Sequence, residues 1–114
     1  MEIKFEKCVP CRGGIPPLDH KSIEKLIVNI PSWNVHREQY TFLAKKFKTK
    51  NFKQSMNFAN LVFEISEEEG HHPKIVVEFG NIEVLWWTHK INGLHKNDFI
   101  MAAKTDDLFN QLQN

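Results

Sequence analysis

Three histidines in this chain have the type and spacing expected of a proton-transfer site. His71 and His72 are adjacent and are followed by Pro73, and His89 comes after a further stretch of strand-like sequence. Imidazole has an unperturbed pKa of about 6.5, so it can give or take a proton near neutral pH. If the chain folds back between the two clusters, all three rings can surround one small molecule.

The segment between the clusters predicts a β-hairpin. Apolar and polar residues alternate over residues 74–88 and break only at Gly80-Asn81. With Gly80 at the first central position of a two-residue type II′ turn, Phe79 faces Ile82. The same register predicts a core face made of Ile75, Val77, Phe79, Ile82, Val84 and Trp86.

Extending this register places His72 opposite His89, with His71 reaching in from the start of the strand. Directly opposed residues of an antiparallel pair have Cβ atoms roughly 4.5–5.5 Å apart. His72 and His89 would share the sheet face away from the core with Leu85 and Trp87. The hairpin therefore predicts a pocket lined by histidine beside apolar surface.

Length, charge and cysteine content restrict the class of protein. A chain of 114 residues predicts one domain over 1–114, and a formal charge of +1 gives no reason to expect a nucleic acid or a membrane as partner. No apolar run of about 18 residues is present, and the N-terminus lacks the apolar region of a signal peptide. Cys8 and Cys11 are too close together to staple a fold, which is consistent with reduced thiols and a cytoplasmic location.

Capping residues, glycines and prolines divide the chain into an irregular arm, residues 1–17, and seven elements. These are a helix from Asp19 to Pro31, strands over 33–36 and 40–48, a helix over 51–69, the two hairpin strands, and a helix opened by Gly93-Leu94. The predicted fold is α+β in the order α-β-β-α-β-β-α. Helices would pack on one face of a four-stranded antiparallel sheet.

The long helix over 51–69 carries apolar residues on two faces. One face contains Phe52, Met56, Ala59 and Phe63, and the other contains Phe58, Leu61, Val62 and Ile65. Since one face suffices to cover the sheet, the surplus suggests a partner subunit.

A zinc site is the alternative reading of three histidines, because three imidazole ligands and a water make a catalytic zinc centre. The adjacency of His71 and His72 argues against it, since neighbouring strand residues point to opposite faces. We therefore expect no metal.

Four motifs are spread over nearly the whole chain. They are Glu69-Gly70-His71-His72-Pro73, Trp86-Trp87-Thr88-His89, the run from Gly93 to Ala103 that contains Asn97-Asp98-Phe99, and the arm from Cys8 to Leu18. In these motifs the chain resembles the pterin-4a-carbinolamine dehydratases, especially bacterial-type members.

The resemblance implies dehydration of 4a-hydroxytetrahydropterin to quinonoid dihydropterin, without a bound cofactor. This reaction returns the pterin that aromatic amino acid hydroxylases use. By the same resemblance His71 and His89 are the acid and base candidates and His72 orients the pterin, although the predicted register pairs His72, and not His71, with His89. Further substrate contacts implied in this way are Glu67, Pro73, Trp87, Thr88, Lys90 and Asp98.

The sequence departs from animal members at Asn97, where they have an arginine, so any role of that arginine in holding the substrate does not transfer.

Animal relatives also serve as dimerisation cofactors, and some bacterial homologues resemble assembly factors for a carbon-fixing enzyme. A non-enzymatic interaction protein is thus the alternative function. The family resemblance further implies a homodimer or homotetramer, for which the available apolar residues are Phe58, Leu61 and Ile65.

Overall fold

The computed structural model describes residues 2–10 and 13–113, so the expected reduced thiol of Cys11 lies outside the described residues. The helices are α1 (His20–Ile27), α2 (Phe52–Glu69) and α3 (Lys96–Gln113). The strands are β1 (Asn34–Arg37), β2 (Thr41–Lys48), β3 (Lys74–Glu78) and β4 (Asn81–Trp86). The predicted α+β class and the order α-β-β-α-β-β-α are confirmed. Short 3-10 turns at Ile3–Phe5 and His89–Ile91 add to the prediction.

The four strands form one antiparallel sheet in the order β1-β2-β4-β3. The hairpin strand β4 therefore lies in the middle of the sheet, and β3 lies at an edge. Since β4 has neighbours on both sides, the chain leaves the sheet centre directly into the segment that contains His89. This topology brings His89 to the same end of the sheet as the start of β3, where His71 and His72 precede the strand.

The predicted hairpin register is wrong by two residues. Ile75 pairs with Val84 and Glu78 pairs with Asn81, so the loop consists of Phe79 and Gly80. Gly80 occupies the second central position with φ 86°, a value that glycine adopts without strain. A shift of two residues leaves the paired strand residues on their predicted faces, because side chains alternate with a period of two.

The face of β4 that contains Ile82, Val84 and Trp86 is fully buried, as predicted. Of the other residues predicted for the core face, Ile75 and Val77 are partly buried, and Phe79 lies in the loop and is exposed. Helices α2 and α3 cover this face. Phe58 of α2 packs edge-on against Phe47 of β2 at 4.9 Å between ring centroids, and the indole nitrogen of Trp86 donates to the Thr105 hydroxyl of α3 at 3.2 Å.

The two apolar faces of α2 divide their roles differently from the prediction. Phe58 is fully buried against the sheet and is not available for assembly, and Leu61 and Ile65 are partly buried. The exposed stripe is the other face, with Phe52, Met56 and Phe63. Among the described residues no helix combines the length and apolar character needed to cross a bilayer.

Candidate active site

The end of helix α2 sets the positions of the adjacent histidines. Gly70 adopts the left-handed conformation with φ 66°, and the backbone N–H of His71 donates to the Ser66 carbonyl at 3.1 Å. This is the helix-ending motif that glycine favours. It turns the chain sharply out of the helix before β3 begins at Lys74. His71 and His72 thus lie on a turn, and not on a strand.

His71 is buried and is held by the carboxylate of Asp98, in the first turn of α3. Its Nε2 lies 2.6 Å from Asp98 Oδ1, and Asp98 is fully buried. The other carboxylate oxygen accepts from the Thr88 hydroxyl at 2.8 Å and from the His95 backbone N–H at 2.9 Å. An ionised carboxylate only accepts hydrogen bonds, so Nε2 of His71 carries the proton of this bond.

The ring of His71 is also fixed from a second side. It lies parallel to the indole of Trp86, with 5.8 Å between centroids and 10° between planes. Trp86 is itself fully buried in the core. The imidazole therefore has its orientation set by a carboxylate bond and by a rigid aromatic neighbour.

His72 has a different environment. Its Nε2 lies 2.6 Å from Oε2 of Glu67, one turn back along α2, and both side chains are exposed. The acidic helix end that the sequence contains at residues 67–69 thus supplies a carboxylate to this ring. A solvated pair of this kind is weakly coupled and can rearrange when a ligand binds.

His89 begins the 3-10 turn that follows β4. The Thr88 backbone N–H donates to the Gly93 carbonyl at 2.9 Å, and Asn92 has a positive φ of 49°, so the turn closes as a tight loop. The exposed imidazole of His89 stacks on the indole of Trp87, with 4.4 Å between centroids and 22° between planes. Trp87 is in turn packed against Tyr40 at 4.7 Å.

All three histidines line one pocket with a volume of about 580 Å³. This volume lies within the range that small-molecule sites occupy. The pocket is lined by Cys8, Val9, Pro10, Glu69, Gly70, His71, His72, Thr88, His89, Lys90 and Asn97.

Four residues expected at the site do not line this pocket. Asp98 lies behind His71, Trp87 lies beneath His89, and Glu67 bonds to His72. Pro73 follows His72 and is partly buried. Asp98, Trp87 and Glu67 each contact one of the lining histidines, whereas Thr88 and Lys90 lie at the pocket itself.

Sequence reasoning missed the part of the lining that comes from the N-terminal arm. Cys8, Val9 and Pro10 border the pocket, although the arm is more than sixty positions away from His71 in the chain. Burial, followed by the nearby Glu69 carboxylate, raises the pKa of the Cys8 thiol to about 12. The sequence signal that could have indicated this role of the arm is Asn97, where animal members have an arginine. The Asn97 side chain binds the backbone of Val9.

The described residues contain no group of three or more histidine, cysteine, aspartate or glutamate side chains that could hold a metal ion. The pocket nitrogens instead have carboxylate or aromatic neighbours of their own. The arrangement offers three imidazoles with distinct surroundings to one ligand, which suits paired acid and base chemistry.

The family model described as Pterin 4 alpha carbinolamine dehydratase matches residues 16–108 of this chain. A protein from Chlorobium luteolum is 46% identical over 112 residues, which cover 97% of this chain and 98% of the relative. A protein from Saccharophagus degradans is 49% identical over 105 residues, which cover 91% and 93%. Both bear the name "Putative pterin-4-alpha-carbinolamine dehydratase".

Two solved structures share the fold. A transcriptional coactivator/pterin dehydratase from Brucella melitensis superposes with a TM-score of 0.74 at 22% identity, covering 81% of this chain and 97% of that one. A pterin dehydratase-like protein identified as a RuBisCO assembly factor superposes with a TM-score of 0.58 at 23% identity, covering 68% and 88%.

Proposed function

This chain belongs to the pterin-4a-carbinolamine dehydratase family, and from that premise we propose that it dehydrates 4a-hydroxytetrahydropterin to quinonoid dihydropterin. The observation that supports the proposal most is the convergence of His71, His72 and His89 on one pocket. An interaction protein has no need of such an arrangement. A pterin is small enough for the pocket and offers ring nitrogens and oxygens to several imidazoles at once.

The reaction needs two proton transfers. The bond between carbon 4a and the hydroxyl oxygen breaks, and the oxygen leaves as water after it receives a proton from an acid. The neighbouring ring nitrogen gives its proton to a base, and the electron pair of that N–H bond forms the new carbon–nitrogen double bond. Imidazole can fill either role near neutral pH, and each positioned group of this kind contributes about 10²–10⁴-fold in rate.

We place the acid and base on His71 and His89, with His72 orienting the pterin. Asp98 fixes the tautomer of His71 through the bond to Nε2, so Nδ1 is the ring nitrogen assigned to the ligand. His89 has its ring plane set by Trp87. Asp98 and Trp87 act as positioning residues in this scheme.

Further contacts belong to the same proposal. Thr88 and Lys90 line the pocket, and Thr88 and the backbone of Lys90 would bind the pterin ring. Pro73 would be a further contact by the family resemblance alone, since it does not line the pocket. Glu67 would hold His72 until the ligand arrives. The product would be reduced again in the cytoplasm for use by an aromatic amino acid hydroxylase. Assembly as a homodimer or homotetramer would use the exposed stripe of Phe52, Met56 and Phe63.

Stopped-flow measurement of carbinolamine dehydration tests this function. Wild-type protein should accelerate the reaction over buffer, and His89→Ala should lower kcat about 10²-fold or more. His72→Ala should raise KM more than it lowers kcat, because this ring orients the substrate. Treatment with a chelator should leave the wild-type rate unchanged. A wild-type rate equal to that in buffer would defeat the enzyme proposal.

The alternative is a non-enzymatic interaction or assembly protein on the same fold. The observation that favours it is the stripe on α2, where the three large apolar side chains Phe52, Met56 and Phe63 are each at least 40% exposed. Substitution of Phe63→Ser separates the two functions. Loss of assembly with unchanged dehydration would show that the stripe and the pocket work independently.

A further inference from the structure

The N-terminal arm follows α3 from its middle to its first turn. Ile3 is buried, the Lys4 ammonium contacts Asp107 at 3.0 Å, and Lys104 donates to the Lys4 carbonyl at 2.8 Å. Further along, Glu6 pairs with Lys96 at 2.8 Å. The arm is therefore anchored along the helix before it reaches the pocket.

At the pocket the arm is held by backbone hydrogen bonds that do not depend on its own side chains. The Val9 N–H donates to Asn97 Oδ1 at 3.0 Å, and Asn97 Nδ2 donates to the Val9 carbonyl at 2.7 Å. The Cys8 N–H donates to Glu69 Oε1 at 2.8 Å. The buried Asn97 amide thus binds the arm at two points, as a neighbouring strand would.

The arm is tied down again beyond the pocket. The Leu18 N–H donates to the Leu94 carbonyl at 2.9 Å, and a Cβ on Gly93 would lie only 2.7 Å from Cβ of Pro17. Cys8 and Val9 are consequently fixed to α2 and α3 through Glu69 and Asn97, and Pro17 and Leu18 are fixed to the segment between His89 and α3. Between these anchors the apolar side chain of Val9 remains 57% exposed at the pocket.

We propose that Cys8, Val9 and Pro10 form a wall of the pocket that contacts the bound pterin, and that Asn97 holds this wall in place. The wall supplies apolar surface to a pocket that is also lined by His71, His72 and His89. Flat heterocycles bind in pockets that combine apolar walls with a few polar groups. This inference rests on the proposed function for the identity of the ligand, and it makes the arm a determinant of pterin affinity.

Val9→Ala tests the contact, with Val28→Ala as the matched control. Both valines are exposed, and Val28 lies at the end of α1 and is absent from the pocket lining. Val9→Ala should raise KM about three- to tenfold and leave kcat within about twofold, because it removes apolar contact with substrate and transition state alike. Val28→Ala should leave both constants unchanged, and neither should shift the thermal midpoint. Equal KM values for the two variants would overturn the inference.

Alkylation of Cys8 by iodoacetamide reports on the wall without catalysis. In a Cys11→Ser background Cys8 is the one remaining cysteine of the chain. Its raised pKa makes labelling slow, so the rate is measured at about pH 9. Saturating dihydrobiopterin should slow labelling about fivefold or more, and Asn97→Ala should speed it by a similar factor in the absence of ligand. A labelling rate that changes neither with dihydrobiopterin nor in Asn97→Ala would contradict the inference.

The two measurements separate the wall from the proposed reaction. If dihydrobiopterin protects Cys8 but the protein does not accelerate dehydration, the inference about the wall stands and the proposed dehydratase activity is refuted. An active wild-type enzyme with an unchanged KM in Val9→Ala would refute the wall and retain the dehydratase. Failure of wild-type protein to bind dihydrobiopterin would refute both.

Discussion

His71 and His72 are neighbours in the chain, and each has Nε2 at 2.6 Å from a carboxylate oxygen, yet their surroundings are opposite. The His71 side chain is 10% exposed and its partner Asp98 is fully buried, whereas His72 and its partner Glu67 are 62% and 59% exposed. The two histidine–carboxylate distances are equal, but the two interactions differ in strength because one is buried and the other is exposed. A buried pair with further hydrogen bonds is costly to break because its polar groups would be left without partners, while an exposed pair contributes about 0–1 kcal/mol.

The difference in burial shows how two adjacent histidines can have different roles at one site. The left-handed turn at Gly70 sends one ring inward against Trp86 and leaves the other in solvent. In the proposed reaction the inner ring would be preorganised for proton transfer, and the outer ring would move with the ligand. Substitutions of the residues that contact the histidines test this division.

Asp98→Asn should have the largest effect. The amide keeps the volume of the side chain, but its NH2 group is a donor and cannot accept a hydrogen bond. At least one of the three groups that now donate to Asp98, which are the Thr88 hydroxyl, the His95 N–H and His71, then faces another donor. We expect the tautomer and orientation of His71 to be lost as a result. We expect kcat to fall about 10²-fold or more, as for other carboxylates that orient a catalytic imidazole. Stopped-flow kinetics with a parallel thermal melt measures this. Activity within threefold of wild type would show that His71 does not depend on its buried partner.

Thr88→Val should have an intermediate effect on the same network. The substitution removes one donor from the Asp98 carboxylate, and a hydrogen bond to a charged group is worth about 1.5–3 kcal/mol. The free energy of unfolding in urea should decrease by about this amount, and kcat should fall about tenfold. Unchanged stability would mean that the Asp98 charge does not need the hydroxyl.

Trp87→Leu tests how the exposed His89 is held. The indole provides a stacking surface for the imidazole, and such an aromatic contact is worth about 0.5–1.5 kcal/mol beyond buried area. Without it His89 should sample more orientations, so we expect kcat to fall about three- to tenfold. The Tyr40→Leu variant serves as control, because it removes a neighbour of Trp87 but no contact to His89. A larger loss in the control would disprove the role of the stack.

Glu67→Gln should have the smallest effect. The pair with His72 is solvated, so its loss should change kcat and KM by about twofold or less and leave the thermal midpoint in place. Glu68→Gln, at the neighbouring helix position, provides the baseline. A tenfold loss in Glu67→Gln alone would show that the outer histidine also depends on its carboxylate, and the contrast with His71 would disappear.

Local signals in the sequence predicted most of the fold. Asn51 caps α2 by accepting from the Gln54 N–H at 2.8 Å, and Asp19 caps α1 by accepting from the Ser22 N–H at 2.8 Å, as expected from their types. The hairpin faces were predicted correctly, although the register was displaced by two residues. The pairing of a hairpin depends on which residue takes the second turn position, and Gly80-Asn81 allowed two choices.

The cause predicted for the meeting of the histidines was incorrect, because the paired part of the hairpin ends at Lys74 and Leu85. The rings meet through two turns, the left-handed end of α2 and the loop after β4. Turn geometry of this kind depends on hydrogen bonds to residues elsewhere, such as Asp98, and a periodic pattern does not contain them.

The sequence by itself determined the element order, the buried face of the sheet, the histidine motifs and the family they indicate, because these depend on short-range spacing and residue type. Only the tertiary structure decided that Asp98 lies behind His71, that Phe58 faces the sheet while Phe63 faces solvent, and that the N-terminal arm lies at the pocket. Those contacts join residues far apart in the chain. They depend on how the helices pack on the sheet, and local sequence patterns do not determine that packing.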